Sequence, residues 1–511
     1  MTKHLITTAI PYMNGAPHVG HAFEMVLTDV IVRGRRLIWD DIFFLTGADE
    51  HGSKILKTAE TQGVDVMKML DENVARFQEM NEYLNVIPDG YLRTTDKEKH
   101  WPVVQVLWMK MVENINPETR ESDIYKKQYS WYYCDREERF VTEAELDTDK
   151  NVIESWAPTR WTEDENYFFR LSRYSDTIRK KIETNEIKII PEFRKNEMLS
   201  MLGDGLEDVS FSRTKKQLTW WIPVPNDDDH VMYVWCDALT NYISGSPENH
   251  GNIDELFKNW SCDLHVIGKD IARFHCLTWI GMLLSAEINL PEEILVHGFV
   301  NDKDGAKMSK SVGNVIDPHE MVNAYCSDSF RLYITGEVGI GQDLNFSDDR
   351  MKAIHNDMLA NNYGNLVNRV ISLWIAYRES GCENVVFYTE NKSIPTNIAK
   401  YRSAIKELDT QKVFSVIRDL LNEANSFLNL NEPWKKSWTE KWNLLLEWLR
   451  YLHHITLLLS PFIPKATGKV MKAMGINLGT TLEAIPYIDS PGIEIDKLFP
   501  ITKPDILFEK K

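Results

Sequence analysis

Short apolar, β-branched runs recur along the chain: Leu5 to Thr8, Ile42 to Thr46, Met232 to Trp235 and His265 to Lys269 each fit a buried strand. Helical spacing alternates with them. Phe23, Val26, Leu27, Val30 and Ile31 fall at i, i+3, i+4, i+7 and i+8, and Trp235, Ala238, Leu239 and Tyr242 at 0, 3, 4 and 7. Strand and helix therefore take turns over residues 1–115 and again over 226–315, the rhythm of a parallel sheet. Aromatic, strand-like runs interrupt it between 116 and 225: Trp131-Tyr132-Tyr133-Cys134-Asp135 and Asn166-Tyr167-Phe168-Phe169. Beyond the segment 316–353 the pattern is helical over 354–511. There Val413, Phe414, Val416, Ile417, Leu420, Leu421, Ala424 and Phe427 trace a wide apolar stripe, and Leu444 to Leu459 is nearly apolar all round, which predicts a central helix. The expected class is an α/β fold carrying an inserted domain, followed by an all-α helical bundle.

The length of 511 residues predicts three or four domains with ample cores. Hydrophobic content of 43% and charged content of 26% are ordinary for a soluble globular protein and leave that picture unchanged. The net charge of −18 alters it. Read alone, it argues against a nucleic-acid binder. Local basic surface can still track a phosphate backbone, so any such contact is expected to be local and salt-sensitive. The cysteines, Cys134, Cys236, Cys262, Cys276, Cys326 and Cys382, form no CxxC pair. Reduced thiols in a cytoplasm are the default, over a disulfide framework or a Cys-rich zinc site. The N-terminus enters a strand directly and shows no signal or transit segment. No uncharged apolar run reaches the roughly 18 residues a membrane span needs.

Candidate chemistry gathers at three places. Ala9-Ile10-Pro11-Tyr12-Met13-Asn14-Gly15-Ala16-Pro17-His18-Val19-Gly20-His21 is a turn between the first strand and the first helix. His18 and His21 share one face at the helix start, beside orphan backbone N–H groups and the positive dipole end, which suits anionic phosphate. Gly20 lets a flat base or a backbone come close. Val296-His297-Gly298-Phe299-Val300 precedes Lys307-Met308-Ser309-Lys310-Ser311, a mobile cationic loop. Gly47-Ala48-Asp49-Glu50-His51-Gly52 follows the second strand, where open α/β sheets bind ligands. Asp49 reads as a ligand-binding carboxylate, a helix cap or a structural ion pair; His51 reads as a hydrogen-bonded structural histidine.

The first and second stretches in this order, together with TGADEHG, YVWCDALTNY, HVIGKDIARFH, GNLVNR and NEPW, resemble class I aminoacyl-tRNA synthetases and, among them, the methionyl-tRNA synthetase family. The resemblance runs over nearly the whole chain. It implies a Rossmann-type catalytic domain split by a connective insert, then a small helical linker at 316–353 that supports the lysine loop, then an anticodon-binding bundle. It implies ATP-dependent activation of L-methionine and transfer to tRNA(Met), with Mg²⁺ accompanying the nucleotide. Carried over residue by residue, it has His18, His21, Lys307 and Lys310 act on the phosphates. Gly20, Glu24, Gly268, Asp270, His297 and Gly298, with Lys310, would bind ATP. Asp49 would hold the substrate ammonium group, and Ile10, Tyr12, Trp235, Ala238, Leu239, Tyr242 and His275 would line a methionine pocket. A thioether packs well on aromatic rings, and the hydroxyls of Tyr12 or Tyr242, or His275, could offer its sulfur a weak hydrogen bond. Asn365, Arg369 and Trp434 match positions that read the anticodon by hydrogen bonding and stacking.

Departures from the family pattern carry expectations of their own. Many relatives have zinc knuckles built from Cys pairs in the insert, whereas only Cys134 falls there, so the ligands for tetrahedral zinc are missing. No structural zinc or other metal site is expected, and packing, with Trp156 and Trp161 as candidates, is expected to hold the insert. The interval from His21 to Lys307 leaves no room for the large editing domain of the leucine, isoleucine and valine enzymes, so double-sieve editing is not expected. No further dimerisation module follows the bundle, so a monomer is expected. Rival readings are a small nucleotidylyltransferase, which the helical C-terminal half disfavours; a non-catalytic tRNA-binding paralogue, which would be expected to lose part of the motifs; and a class I synthetase for another amino acid, cysteine being disfavoured because its pocket needs zinc. Leu37-Ile38-Trp39-Asp40, where relatives usually carry a glycine, has no functional account.

Overall fold

The computed structural model describes residues 4–38, 41–134, 139–141, 143–153, 155–215, 218, 220–308, 313–380, 393–474 and 504–511. The chain divides into two compact units: Met1–Pro17, Phe43–Glu79 and Pro88–His297 form the first, and His18–Ile42, Met80–Ile87 and Gly298–Lys511 the second.

The first unit is built on a six-stranded sheet of β1 (His4–Thr8), β2 (Ile42–Ala48), β3 (Gly90–Arg93), β4 (Lys188–Ile190), β5 (Leu264–Gly268) and β6 (Glu293–His297), in the order β3–β2–β1–β5–β6–β4. The pairs β1–β5, β5–β6, β6–β4 and β2–β3 all run parallel. β1, β2, β5 and β6 are buried almost without alternation, as strands covered on both faces are. β1 lies between β2, the next strand in the chain, and β5, which comes far later. The connections leave in opposite senses there, and the carboxyl ends of β1 and β5 mark the place where such sheets bind ligands.

Three expectations are corrected in this unit. β4 lies within 116–225 yet pairs with β6, so the range expected for the insert includes a return to the main sheet. Met232 to Trp235 is no core strand: Asp227–Met232 pairs antiparallel with Ser212–Thr214 and Pro223–Val224, and a helix, Val234–Ser244, starts two residues later. A four-residue apolar run does not distinguish a strand end from a helix start. Trp156 and Trp161 do not hold the insert together, being 78% and 52% exposed. Ile124–Cys134 and Arg160–Phe169 pair antiparallel, with Trp161 opposite Tyr132 and edge-on to its ring. A buried cluster of Cys134, Val141, Val152 and Ala157 does the packing there instead. One step along a strand sends a side chain to the other face, and aromatic content does not say which.

The second unit is helical. Val19–Leu37, Pro318–Tyr325, Ser327–Gly336, Asn365–Glu379, Ser393–Lys406, Thr410–Asn431, Trp438–Leu459 and Pro464–Ala473 are its main helices. Residues 445–459 are all buried, as expected of a central helix. The expected stripe from Val413 to Ala424 is buried too, and Phe427 is half-buried. Arg331 is 0% exposed and ties the unit together. It donates to Asp29 Oδ2 at 2.6 Å on the Val19–Leu37 helix, to Leu84 O at 3.1 Å, and to Pro461 O and Phe462 O at 2.6 and 3.1 Å. A buried guanidinium needs that many acceptors. No helix among the described residues is long and apolar enough to cross a membrane.

Candidate active site

The first unit carries the candidate methionine-side residues. β1 runs out into Ile10 and Tyr12, and Tyr12 pairs with Asp49 beyond β2. Asp49 N donates to Pro11 O at 3.0 Å and Met13 N to Asp49 O at 2.9 Å, so the two loops are stitched together. Asp49 itself is 9% exposed. The Tyr12 hydroxyl lies over Gly52, where an added Cβ would stand 1.5 Å from it. Any side chain at position 52 would displace Tyr12.

The Val234–Ser244 helix forms a second wall. Ala238, Leu239 and Tyr242 are buried and Trp235 is half-buried. Trp235 stacks on Phe274, ring centroids 3.9 Å apart and nearly parallel, and meets His275 edge-on at 6.1 Å. Phe274 and His275 stand on a π-helical stretch, Phe274–Trp279. His275 Nδ1 faces Ile271 O at 3.0 Å and its Nε2 faces the Tyr242 hydroxyl at 2.7 Å. A carbonyl only accepts, so Nδ1 carries the proton and Nε2 accepts from Tyr242. Burial pushes the His275 pKa down to about 4, against the bond to Ile271 O, so the ring stays neutral. Of the three candidate donors to a sulfur, Tyr242 and His275 thus spend their protons on each other and on the backbone. Sequence reasoning missed Phe274; its place beside His275 in Arg273-Phe274-His275 was the available signal.

At the carboxyl ends of β5 and β6 the first unit brings Gly268, Asp270 and His297 together. A Cβ on Gly268 would lie 2.8 Å from Asp270 Oδ1 and 3.6 Å from His297 Cε1. Asp270 is exposed.

The second unit carries the phosphate-side candidates. His18 caps the Val19–Leu37 helix: its Nδ1 accepts from Gly20 N at 3.1 Å, and His21 Nδ1 accepts from His18 N at 3.2 Å, a reciprocal capping box. Both Nδ1 atoms accept backbone N–H, so each neutral ring carries its proton on Nε2. A Cβ on Gly20 would meet His18 Cε1 at 2.9 Å, so glycine here keeps the cap. Glu24, one turn on from His21, is half-buried. Gly298 has no room for a Cβ, which would stand 2.2 Å from Gln342 O. Val300–Asn301 pairs with Leu344–Asn345 and anchors the base of the lysine loop. Asp302 Oδ1 accepts from Ala306 N at 2.8 Å and Asp302 Oδ2 from Asn314 at 2.7 Å, closing the loop's first turn. The exposed Lys307 lies 4.9 Å over the Phe299 ring. Lys310 lies outside the described residues.

Farther along, Asn365 and Arg369 are exposed one turn apart on the Asn365–Glu379 helix, just after the π-helical run Ile354–Gly364. Asn365 donates to Asn361 O at 2.7 Å and Arg369 to Asn429 Oδ1 at 3.3 Å. Trp434 falls in the short turn Pro433–Lys435, with its side chain outside the described residues.

Comparison with known proteins places these features in a family. Residues 4–156 and 143–371 match the model for class I tRNA synthetases (M), and 388–510 that for the anticodon binding domain of methionyl tRNA ligase. A methionine--tRNA ligase of Brucella melitensis is 40% identical over 486 residues, 92% of this chain and 91% of that one. One of Mycobacterium tuberculosis is 38% identical over 493 residues, 93% and 92% of the two chains. The solved methionyl-tRNA synthetase of Mycobacterium tuberculosis in complex with methionyl-adenylate superposes with a TM-score of 0.89 at 36% identity, covering 99% of this chain and 100% of that one. Its apo form gives 0.83 at 33% identity, covering 100% and 99%. The chain belongs to the methionyl-tRNA synthetase family of class I tRNA synthetases.

Proposed function

We propose that this chain joins L-methionine to tRNA(Met) in two steps, through methionyl-adenylate. The observation that carries the reading is the stacked Trp235 and Phe274 beside the paired Tyr242 and His275, a lining that suits a long, polarizable thioether. Ile10, Tyr12, Ala238 and Leu239 complete the pocket, and Asp49 holds the substrate ammonium group. In the first step the methionine carboxylate attacks the α-phosphate of ATP and pyrophosphate leaves. Such chemistry is positioning and charge stabilisation and needs no protein nucleophile. His18 and His21 donate from Nε2 to the phosphates as charge builds on the leaving group, at the positive end of a helix. Lys307 and Lys310 close over the β- and γ-phosphates, and contacts made best in the transition state raise the rate rather than tighten ATP binding. Gly268, Asp270 and His297, with Gly20, Glu24 and Gly298, take the rest of the nucleotide, Asp270 at the ribose.

Mg²⁺ bound with the nucleotide would offset its phosphate charge. Among the described residues no group of three or more His, Cys, Asp or Glu could hold a metal ion. In the second step a ribose hydroxyl at the tRNA 3′ end attacks the activated carbonyl and AMP leaves. Asn365, Arg369 and Trp434 read the anticodon. The same reading has the chain act as a cytoplasmic monomer without structural zinc.

Methionine-dependent ATP–pyrophosphate exchange, without tRNA and with a zinc chelator, tests it. Exchange with methionine and little with leucine, valine or cysteine is expected. No exchange with any amino acid, from folded protein with Mg²⁺ present, would move the reading to a non-catalytic tRNA-binding protein. Lys310→Ala is expected to lower adenylate formation by orders of magnitude with methionine affinity near normal; unchanged single-turnover activation would remove that role.

A further inference from the structure

The two ends of the proposed methionine site stand on separate elements: Asp49 follows β2, while Trp235, Ala238, Leu239 and Tyr242 lie on the Val234–Ser244 helix. A buried carboxylate joins them. Asp237, on that helix and 2% exposed, places Oδ2 2.5 Å from His51 Nδ1 and Oδ1 2.6 Å from His100 Nε2. His100 Nδ1 in turn lies 2.6 Å from Ser244 Oγ, at the end of the same helix. A carboxylate only accepts, so each ring gives it one N–H. Burial alone would raise the Asp237 pKa, but the charges and hydrogen bonds of His51 and His100 overcome it and hold the group below its usual range.

The His51 Nε2 atom is buried with no partner among the described residues, so Asp237 is the one hydrogen-bond anchor of that ring. The His51 backbone N–H points to Asp49 Oδ1 at 3.4 Å. The loop that presents Asp49 is thus fastened to the pocket helix through the Asp237 side chain.

We propose that Asp237, with His51 and His100, is a positioning group that sets the separation between the ammonium and thioether subsites and so selects amino acids by side-chain length. The proposal rests on the assignment of the methionine pocket above. None of the three side chains needs to touch the substrate. Their bonds fix two walls relative to each other, and a displacement of about 1 Å is enough to cost on the order of a hundredfold.

ATP–pyrophosphate exchange with methionine, the shorter S-methylcysteine and the longer ethionine tests it, on the full chain and on Asp237→Asn, His51→Ala, His51→Asn and Trp235→Ala. Asp237→Asn sets an amide N–H against a ring N–H, and His51→Ala removes the anchor. Each is expected to raise the methionine KM roughly tenfold to a hundredfold, to shrink the preference for methionine over ethionine, and to leave the KM for ATP unchanged. His51→Asn keeps a donor in place of Nδ1 and is expected to restore both the KM and the preference. A merely structural role would lower the melting temperature and leave the length preference alone. Folded variants with unchanged methionine KM and preference overturn the proposal, and so does an equal loss in His51→Asn and His51→Ala. If Asp237→Asn fails to fold, the two His51 variants decide. Trp235→Ala separates the two readings: an unchanged methionine KM there removes the pocket assignment, whereas a raised one beside unaffected Asp237 and His51 variants removes only the tie.

Discussion

Histidines in the two units use the same side chain with opposite polarity. In the first unit His275 gives its Nδ1 proton to Ile271 O and accepts at Nε2 from Tyr242. In the second, His18 and His21 accept backbone N–H at Nδ1 and carry the proton on Nε2. The partner of Nδ1 decides which face of the ring a ligand meets. A buried neutral ring that spends its proton on the backbone suits an uncharged thioether, and a ring that donates from a helix N-terminus suits a phosphate. Burial separates them further, since His275 is 1% exposed while His18 and His21 are half-buried.

The largest effect is expected where the donor is removed and the cap is kept. Asparagine is among the best N-cap residues, so His18→Asn should hold the start of the Val19–Leu37 helix while losing the Nε2–H donor. Adenylate formation should fall by about a hundredfold to a thousandfold, the usual cost of one preorganised donor, with no change in melting temperature. Single-turnover activation beside a thermal melt checks it. A loss of stability with little loss of rate would make His18 a cap and nothing more.

That pair was legible in the chain because capping is local: a histidine at the cap position, a second one three residues on and an apolar run after them are all visible in the sequence. The parallel sheet was legible for a related reason, since strands covered on both faces leave continuous apolar runs such as Leu5 to Thr8. The Asp237 network was not. Its partners are 186 and 137 residues away, and no spacing rule connects them. A carboxylate within the apolar Trp235–Tyr242 face was a signal that something buried answers it. Phe274 was hidden differently: it lies on a π-helical turn, where the 3.6-residue spacing that identifies a face no longer holds. Trp161 misled because an aromatic residue in a strand announces a sheet and not a side of it, and Trp156 lies outside any strand, at a positive φ of 54°.

Acid should act on the buried ring. The folded pKa of His275, about 4, lies below its ordinary 6.5, so between those values the unfolded chain binds the extra proton. Stability contributed by keeping the ring neutral is complete above pH 6.5 and declines as the pH falls toward 4, by up to about 3 kcal/mol for one fully buried group. His265, also buried and held well below its ordinary value, steepens the same decline. Urea denaturation at several pH values in that interval, on the natural chain and on His275→Gln, isolates the share of one ring. The variant should show the shallower dependence; parallel curves would mean that His275 is not held neutral by the fold.

The smallest effect tests the bond inside the pocket. Tyr242→Phe removes the hydroxyl that His275 Nε2 accepts from, and leaves that nitrogen buried without its donor. An unmet buried acceptor costs about 1–3 kcal/mol, part of which a water entering the vacated space would recover. Stability should fall by an amount in the lower part of that range. The methionine KM should rise more than the ATP KM, because the ring that loses its partner meets Trp235 edge-on. His275→Gln in the same background should then cost little more, since the bond joining the two side chains is already gone. Additive losses in the double variant would show that Tyr242 and His275 act separately, and the reading of His275 as a fixed acceptor would have to be given up.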